Sequence, residues 1–141
     1  MECLGYLEDI LKAVKFLQSK GIVHTDIKGD NVLMEENRLR VKLIDFGSAQ
    51  VQTDENRSND IWKTGCLALE MLNGKRPPLF QFTYGGILQR QNSCRPEHHI
   101  PSQAMQEIKE LLRFCFGLNL TPDQNSLPSA TEILKNQTLF Q

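Results

Sequence analysis

The stretch GIVHTDIKGDNVLM, residues 21–34, concentrates charge and oxygen-bearing side chains between two hydrophobic runs. Apolar residues lead into His24, and they resume at Val32. Between them lie Asp26, Lys28 and Asn31. A polar cluster held between buried segments is typical of a functional loop on a rigid scaffold. This stretch therefore predicts both the centre of the fold and the position of a site.

Hydrophobic spacing on either side of the loop predicts a helix followed by a small β-hairpin. Apolar residues at helical spacing indicate a helix over residues 4–19, and Gly21 follows it as a C-terminal glycine should. Residues 31–34 and 39–44 have the composition of two short strands, with a polar hairpin turn at 35–37.

The middle of the chain predicts a loop and then a buried helix. Residues 48–59 have no hydrophobic period and are expected to form a loop. Residues 60–73 carry apolar side chains around nearly the whole helix circumference, which indicates burial on most sides. Asn73-Gly74 should end this helix.

Two further helices are expected toward the C-terminus. One spans residues 103–116, with Ser102 as N-cap and Met105 among its inward residues. The other begins at Ser129, where Ser129 and Glu132 have the spacing of a capping box. The fold class that results is mainly α with one small β-hairpin.

Composition excludes several classes of function. The chain has 141 residues, which suits one domain, and its net charge of -1 gives no electrostatic case for binding nucleic acid or an anionic membrane. No apolar run approaches the roughly 20 residues of a membrane span. The four cysteines lie far apart in the sequence with no C-x-x-C pair, which fits a reducing compartment, so we expect a cytoplasmic protein, with a nuclear location as the alternative.

The residue types in and after the loop suit phosphoryl transfer. Asp26, Asn31 and Asp45 supply two carboxylates and an amide oxygen near one pair of strands. Mg²⁺ prefers a few such oxygens together with phosphate oxygens. Lys28 adds a positive charge suited to a phosphate, and a separate Asp can accept a hydroxyl proton. A magnesium-dependent phosphohydrolase that uses Asp26 and Asp45 is an alternative, which the buried 60–73 helix disfavours.

Four motifs in order resemble the protein kinase family. The segment HTDIKGDN, residues 24–31, resembles the kinase catalytic loop H-R-D-L-x-x-x-N, and residues 45–47 have the D-F-G sequence that follows it. Residues 60–65, DIWKTG, resemble D-x-W-S-x-G, and LPSATEILKN at 127–136 resembles the closing R-P-S-A-x-E-L-L. The sequence of the loop is most similar to that of the serine/threonine branch, in particular its kinase-kinase-kinase and Ste20-like members.

The resemblance assigns a role to each residue of the cluster. It implies that Asp26 takes the proton of the substrate hydroxyl and that Lys28 contacts the transferred phosphoryl group. Asn31 and Asp45 would bind the Mg²⁺ that bridges the phosphates of ATP, and Leu33 would lie under the adenine ring. The partner implied is a protein substrate or another kinase.

The resemblance also implies supporting contacts and an architecture. His24 and Phe46 would stack in the core, and Asp60 would anchor the backbone of the loop. The architecture implied is the C-terminal lobe of the α+β kinase fold, with the N-lobe absent and residues 1–141 forming a partial kinase domain.

Departures from the family pattern lower the expected activity. No glycine-rich loop or strand lysine precedes residue 1, and residues 48–59 are too few for an activation segment with an A-P-E motif. Leu127 and Thr25 stand where the family has arginines. We therefore expect weak or absent binding of Mg–ATP and no activity in isolation. The alternative is a non-catalytic, pseudokinase-like module that associates with itself or a partner through the face around Leu33 and Phe46.

Overall fold

Helices and two small antiparallel sheets make up the described part of the chain. The computed structural model describes residues 2–35, 40–82, 96–120, 126–136 and 138–140. The helices are α1 (Glu2–Ser19), α2 (Asn59–Asn73), α3 (Gln106–Phe116) and α4 (Ala130–Leu134), and the strands are β1 (Ile22–Val23), β2 (Val32–Glu35), β3 (Arg40–Leu43) and β4 (Gln50–Val51). Short 3-10 turns lie at Gly29–Asn31, Pro78–Gln81 and Pro96–His99. The predicted helix-rich class with a small hairpin is confirmed.

Helix α1 begins two residues earlier than predicted and ends as expected. Its inward face is fully buried at Leu7, Ile10, Leu11 and Val14. Gly21 has a φ of 68°, the left-handed conformation that glycine adopts without steric cost, and its N–H donates to the carbonyl of Gln18. The chain thus leaves α1 in a tight turn and enters β1 directly before the polar loop.

The predicted hairpin is formed by β2 and β3, which pair antiparallel with Val32 opposite Leu43. Asn31 belongs to a 3-10 turn and not to the first strand, because its N–H donates to the carbonyl of Lys28. The predicted strand 31–34 therefore starts one residue later. The tip of the hairpin, including most of the turn predicted at 35–37, lies outside the described residues.

The prediction that residues 48–59 are all loop is wrong. Strand β4 pairs antiparallel with β1, so that Ile22 lies opposite Val51. The turn after β4 is held by Asn56, whose Oδ1 accepts from the N–H of Thr53 at 2.6 Å and whose Nδ2 donates to the carbonyl of Val51 at 3.0 Å. The short segment therefore forms a closed connection that leads straight into α2.

Helix α2 is the centre of the core, as its sequence predicts. Trp62 is fully buried, donates from Nε1 to the carbonyl of Leu79 at 2.9 Å and meets Phe116 edge to face at 4.9 Å. At Gly65 a Cβ atom would lie 2.8 Å from the Cβ of Cys115, so α2 and α3 approach too closely for a side chain there. Gly74, with a φ of 78°, ends the helix. Helix α2 also packs against α1, which in turn packs against α4 and β3.

Helix α3 starts later than predicted, and Ser102 does not cap it. The helix begins at Gln106 after a turn in which the N–H of Ala104 donates to the carbonyl of Pro101. The hydroxyl of Ser102 donates instead to the side chain of Gln103. Met105, predicted to face inward, precedes the helix and is 36% exposed. The remaining inward residues are confirmed as buried: Ile108, Leu111, Leu112 and Cys115.

Helix α4 carries the predicted capping box. The N–H of Glu132 donates to Oγ of Ser129 at 3.1 Å, and the N–H of Ser129 donates to Oε1 of Glu132 at 2.9 Å. These reciprocal bonds satisfy two backbone donors at the start of the helix. Among the described residues, no helix has the length and apolar character needed to cross a membrane.

Candidate functional site

The loop from His24 to Asn31 is fixed to the core by the buried carboxylate of Asp60. Its Oδ2 accepts from the N–H of His24 at 2.8 Å, and its Oδ1 accepts from the N–H of Thr25 at 3.0 Å. Burial raises the pKa of Asp60, while these two backbone bonds oppose the rise. The first turn of α2 thereby sets the position of the loop backbone.

The imidazole of His24 connects the loop to the end of β3. Its Nδ1 accepts from the N–H of Asp26 at 3.1 Å, so Nε2 is the nitrogen that carries hydrogen and donates to the carbonyl of Ile44 at 2.9 Å. His24 is fully buried and meets Phe46 edge to face at 4.9 Å. Phe46 itself is 47% exposed, so the expectation that both rings stack in the core is wrong for Phe46.

Asp26, Lys28 and Asn31 lie together, as the sequence predicts for the loop. Nδ2 of Asn31 donates to the backbone carbonyl of Asp26 at 2.8 Å and to its Oδ2 at 3.2 Å. Nζ of Lys28 lies 3.6 Å from the same Oδ2. Because the amide nitrogen of Asn31 is engaged within the loop, its Oδ1 is the end that can contact a ligand.

Asp45 is brought to the loop through its neighbour Ile44. The N–H of Ile44 donates to the backbone carbonyl of Asn31 at 2.8 Å, and its carbonyl accepts from His24. Asp45 has a φ of 62°, and its Oδ1 accepts from the N–H of Gly47 at 3.2 Å. The carboxylate is thereby oriented by the turn that follows it.

Backbone strain is concentrated at this site. In the described part of the chain, the non-glycine residues with positive φ are Thr25, at 78°, and Asp45. A β-branched residue in this region is an outlier, since Cβ crowds the backbone. The hydroxyl of Thr25 donates to the carbonyl of Ser48 at 3.0 Å, which ties the loop to the segment after Gly47.

The oxygens of this site suit a hard cation shared with a ligand. Within the described ranges, no three His, Cys, Asp or Glu side chains are grouped closely enough to hold a metal by themselves. Oδ1 of Asn31 and the carboxylate of Asp45 are the types of ligand that Mg²⁺ takes when phosphate oxygens complete its coordination. These two side chains are therefore the ones that could hold Mg²⁺ together with a phosphate-bearing ligand.

An exposed apolar surface adjoins the polar cluster. Leu33, in β2, is 54% exposed, whereas Met34, the next residue of the strand, points to the opposite side of the hairpin, where its Sδ lies 3.9 Å from the hydroxyl of Tyr6. Phe46 adds a second large apolar side chain that is partly exposed. We call Leu33 and Phe46 the apolar face.

Two basic residues near the loop had no signal in the sequence analysis. Lys63, at the position of the serine in D-x-W-S-x-G, donates from Nζ to the carbonyl of Phe80 at 2.8 Å, and burial lowers its pKa. Arg76 lies 2.9 Å from Oδ1 of Asp30 and 3.8 Å from Oε1 of Glu70. Both residues bond to residues that are distant in the sequence, so the spacing of residues along the chain does not reveal these contacts.

Comparison with known proteins agrees with the motifs and their geometry. A family model described as the protein kinase domain matches residues 2–59, which include the loop, the hairpin and the turn at Asp45. Curated relatives align over both this part and the remainder of the chain. The chain belongs to the protein kinase family.

Three of the relatives that it resembles are named as protein kinases. It is 34% identical to serine/threonine-protein kinase STE11 of Saccharomyces cerevisiae over 96% of the chain and 22% of that protein. It is 30% identical to mitogen-activated protein kinase kinase kinase A of Dictyostelium discoideum over 93% of the chain and 16% of that protein. Mitogen-activated protein kinase kinase kinase 2 of Arabidopsis thaliana is 27% identical over 93% of the chain. The chain spans 16% to 23% of the length of these relatives.

Proposed function

We propose that residues 1–141 form the C-terminal lobe of a serine/threonine protein kinase domain and carry the residues for phosphoryl transfer to a protein hydroxyl. The observation that supports this best is the anchored loop. Asp60 holds the backbone at His24 and Thr25, and Asn31 holds the carboxylate of Asp26. A loop that is fixed before its ligand arrives is what transfer by positioning and electrostatics requires.

Each side chain in this proposal has a separate task. Asp26 accepts the proton of the substrate hydroxyl, and Lys28, which lies beside it, contacts the transferred phosphoryl group. Oδ1 of Asn31 and the carboxylate of Asp45 would hold Mg²⁺. The metal, when bound with ATP, neutralises charge on the phosphates. Leu33 supplies an exposed apolar surface for the adenine ring.

The chain taken alone is expected to bind Mg–ATP weakly or not at all. Its sequence contains no glycine-rich loop or strand lysine to hold the phosphates from the other side. Loss of a single preorganised contact of this type costs roughly 10²- to 10³-fold in rate. Such losses are not additive, but together they leave little activity in the isolated chain.

Calorimetry with Mg–ATP tests the metal ligands. Any weak binding by the wild type should be abolished in Asp45→Ala. Asp54→Ala is the matched control, because the side chain of Asp54 is 99% exposed on the turn after β4. Submicromolar affinity of the isolated chain would show that some other element replaces the missing phosphate contacts.

A fusion tests the base. Joining an N-lobe and a full activation segment from a relative to this chain should produce phosphorylation of a protein substrate, and Asp26→Asn should remove it. Glu8→Gln, which changes a carboxylate paired with Lys12 on the surface of α1, should leave the rate unchanged. An active fusion that keeps its full rate as Asp26→Asn would overturn the assignment of Asp26.

The second candidate function is a non-catalytic interaction module, which the apolar face favours. Large apolar side chains that are exposed to solvent tend to recruit a partner or a second copy. Light scattering should show self-association of the wild type that Leu33→Glu reduces. Phe16→Glu is the control, since Phe16 is an exposed apolar side chain on α1. A wild type that is strictly monomeric and unaffected by Leu33→Glu would count against this candidate.

A further inference from the structure

A polar pocket of about 260 Å³ lies apart from the loop at His24–Asn31. Its wall comes from the end of α1, from the connection between β4 and α2, and from the segment that enters α4. The polar side chains that line it are Gln18, Gln52, Arg57, Ser126, Ser129 and Glu132. Three separate parts of the chain must fold together before this pocket exists.

Hydrogen bonds between those parts fix the shape of the pocket. Oε1 of Gln18 accepts from the N–H of Ala130 at 2.9 Å, which ties α1 to the start of α4. Oγ of Ser58 accepts from the N–H of Leu127 at 2.9 Å, which ties the β4–α2 connection to the same segment. Because the carbonyl end of Gln18 is engaged, its NH₂ group is the end that can bind a ligand.

Arg57 is the strongest donor in the pocket and is weakly engaged. Among the described residues its ion pair is with Asp54, at 3.9 Å, and the Asp54 side chain is 99% exposed. An ion pair with so exposed a partner contributes little. The planar guanidinium is therefore available to form two parallel N–H···O bonds with a ligand.

The charges of the pocket select among anions. Arg57 contributes one positive charge, while the carboxylate of Glu132 lines the same pocket and keeps Oε1 on the N–H of Ser129. A doubly charged phosphate would be repelled by Glu132, and a planar group with one negative charge would be repelled less. We propose that this pocket binds a carboxylate, with Arg57 as the residue that contacts it. The proposal is independent of the kinase function, since it uses none of the loop residues.

Titrations followed by ¹H–¹⁵N NMR of the Arg57 Nε–H and the side-chain amides of Gln18 and Gln52 test the proposal. The probes are the capped tripeptide acetyl-Ala-Glu-Ala-amide, its Gln analogue, acetate and inorganic phosphate, all at matched ionic strength. The Glu peptide should shift these signals saturably, and the Gln peptide should not. Tighter binding of the Glu peptide than of acetate identifies an acidic protein segment as the source of the carboxylate, and equal binding identifies a free organic acid.

Variants make the role of Arg57 falsifiable. Arg57→Gln should weaken binding of the Glu peptide at least about tenfold, as expected for loss of hydrogen bonds to a charged group. Arg57→Lys should bind with intermediate affinity, because it keeps the charge and loses the fork. Arg40→Gln, which changes an exposed arginine paired with Asp9, should bind as wild type does. Unchanged binding by Arg57→Gln, equal loss in Arg40→Gln, or phosphate binding as tight as that of the Glu peptide would each overturn the proposal.

Discussion

Replacing Asp60 by alanine measures how far the loop at His24–Asn31 depends on one buried side chain. The substitution removes the acceptors of two backbone N–H groups, those of His24 and Thr25, at 2.8 and 3.0 Å. A hydrogen bond to a charged group contributes about 1.5–3 kcal/mol. The unfavourable burial of the carboxylate, which raises the pKa of Asp60, disappears with it and offsets part of the loss.

The net effect expected for Asp60→Ala is a loss of about 3–4 kcal/mol in the free energy of unfolding, since two charged hydrogen bonds are lost and one desolvation cost is relieved. Asp60→Asn keeps one acceptor oxygen and should lose roughly half as much. Typical domains have only about 5–15 kcal/mol in total. The alanine variant should therefore still fold without denaturant but unfold at a lower urea concentration than the wild type.

Urea unfolding followed by Trp62 fluorescence measures these changes, because Trp62 is the single tryptophan and is fully buried. Hydrogen exchange at the amides of His24 and Thr25 gives a local readout and should be faster in both variants. A loss below about 1 kcal/mol in Asp60→Ala, smaller than one charged hydrogen bond, would refute the reasoning. It would show that these two amides find other partners in the folded chain.

Three further outcomes are expected. Trp62→Ala should lose about 3–5 kcal/mol, as large core truncations do, and far-UV circular dichroism would measure it in place of fluorescence. Burial raises the pKa of Asp60, so the folded state keeps the proton on this carboxyl group to higher pH than the unfolded state does. The free energy of unfolding of the wild type, relative to that of Asp60→Asn, should therefore fall as pH rises through the folded-state pKa. Urea titrations across acidic pH would show this fall. Burial raises the pKa of Cys66 to about 12 and also raises the pKa of Cys115, so neither thiol should react with Ellman's reagent before the protein unfolds. The half-buried Cys3, whose pKa burial also raises, should react slowly. Rapid labelling of Cys3, Cys66 and Cys115 in native buffer would contradict this.

The features that the sequence predicts best are those that a pattern of several residues marks. Helix α2 was identifiable because apolar side chains surround it, and Gly74 marks its end. The anchoring role of Asp60 followed from the position of this residue in the D-x-W motif, and the structure confirms it. The capping box at Ser129 was likewise visible, since two side chains at fixed spacing form it.

The features that sequence reasoning missed depend on very short strands, on local competition for a hydrogen bond, or on tertiary packing. Strands β1 and β4 have two residues each, too few for a period to appear. The start of α3 is set by the turn after Pro101, where Ser102 has a local partner that competes with capping. The exposure of Phe46 and the ion pair between Arg76 and Asp30 are set by tertiary packing.

The left-handed backbone conformation at Thr25 creates a trade-off between the thermal stability of the protein and the conformation of the loop. A β-branched residue in this conformation costs roughly 1–2 kcal/mol, which glycine would not incur and asparagine would incur less. The hydroxyl bond to Ser48 returns only part of this cost. Variants of this chain selected for heat resistance alone are therefore expected to replace Thr25 early, while the residues of α2 stay as they are. The same selection would loosen the link between the loop and the segment after Gly47, so the most heat-resistant variants would be poor starting points for testing the proposed kinase activity.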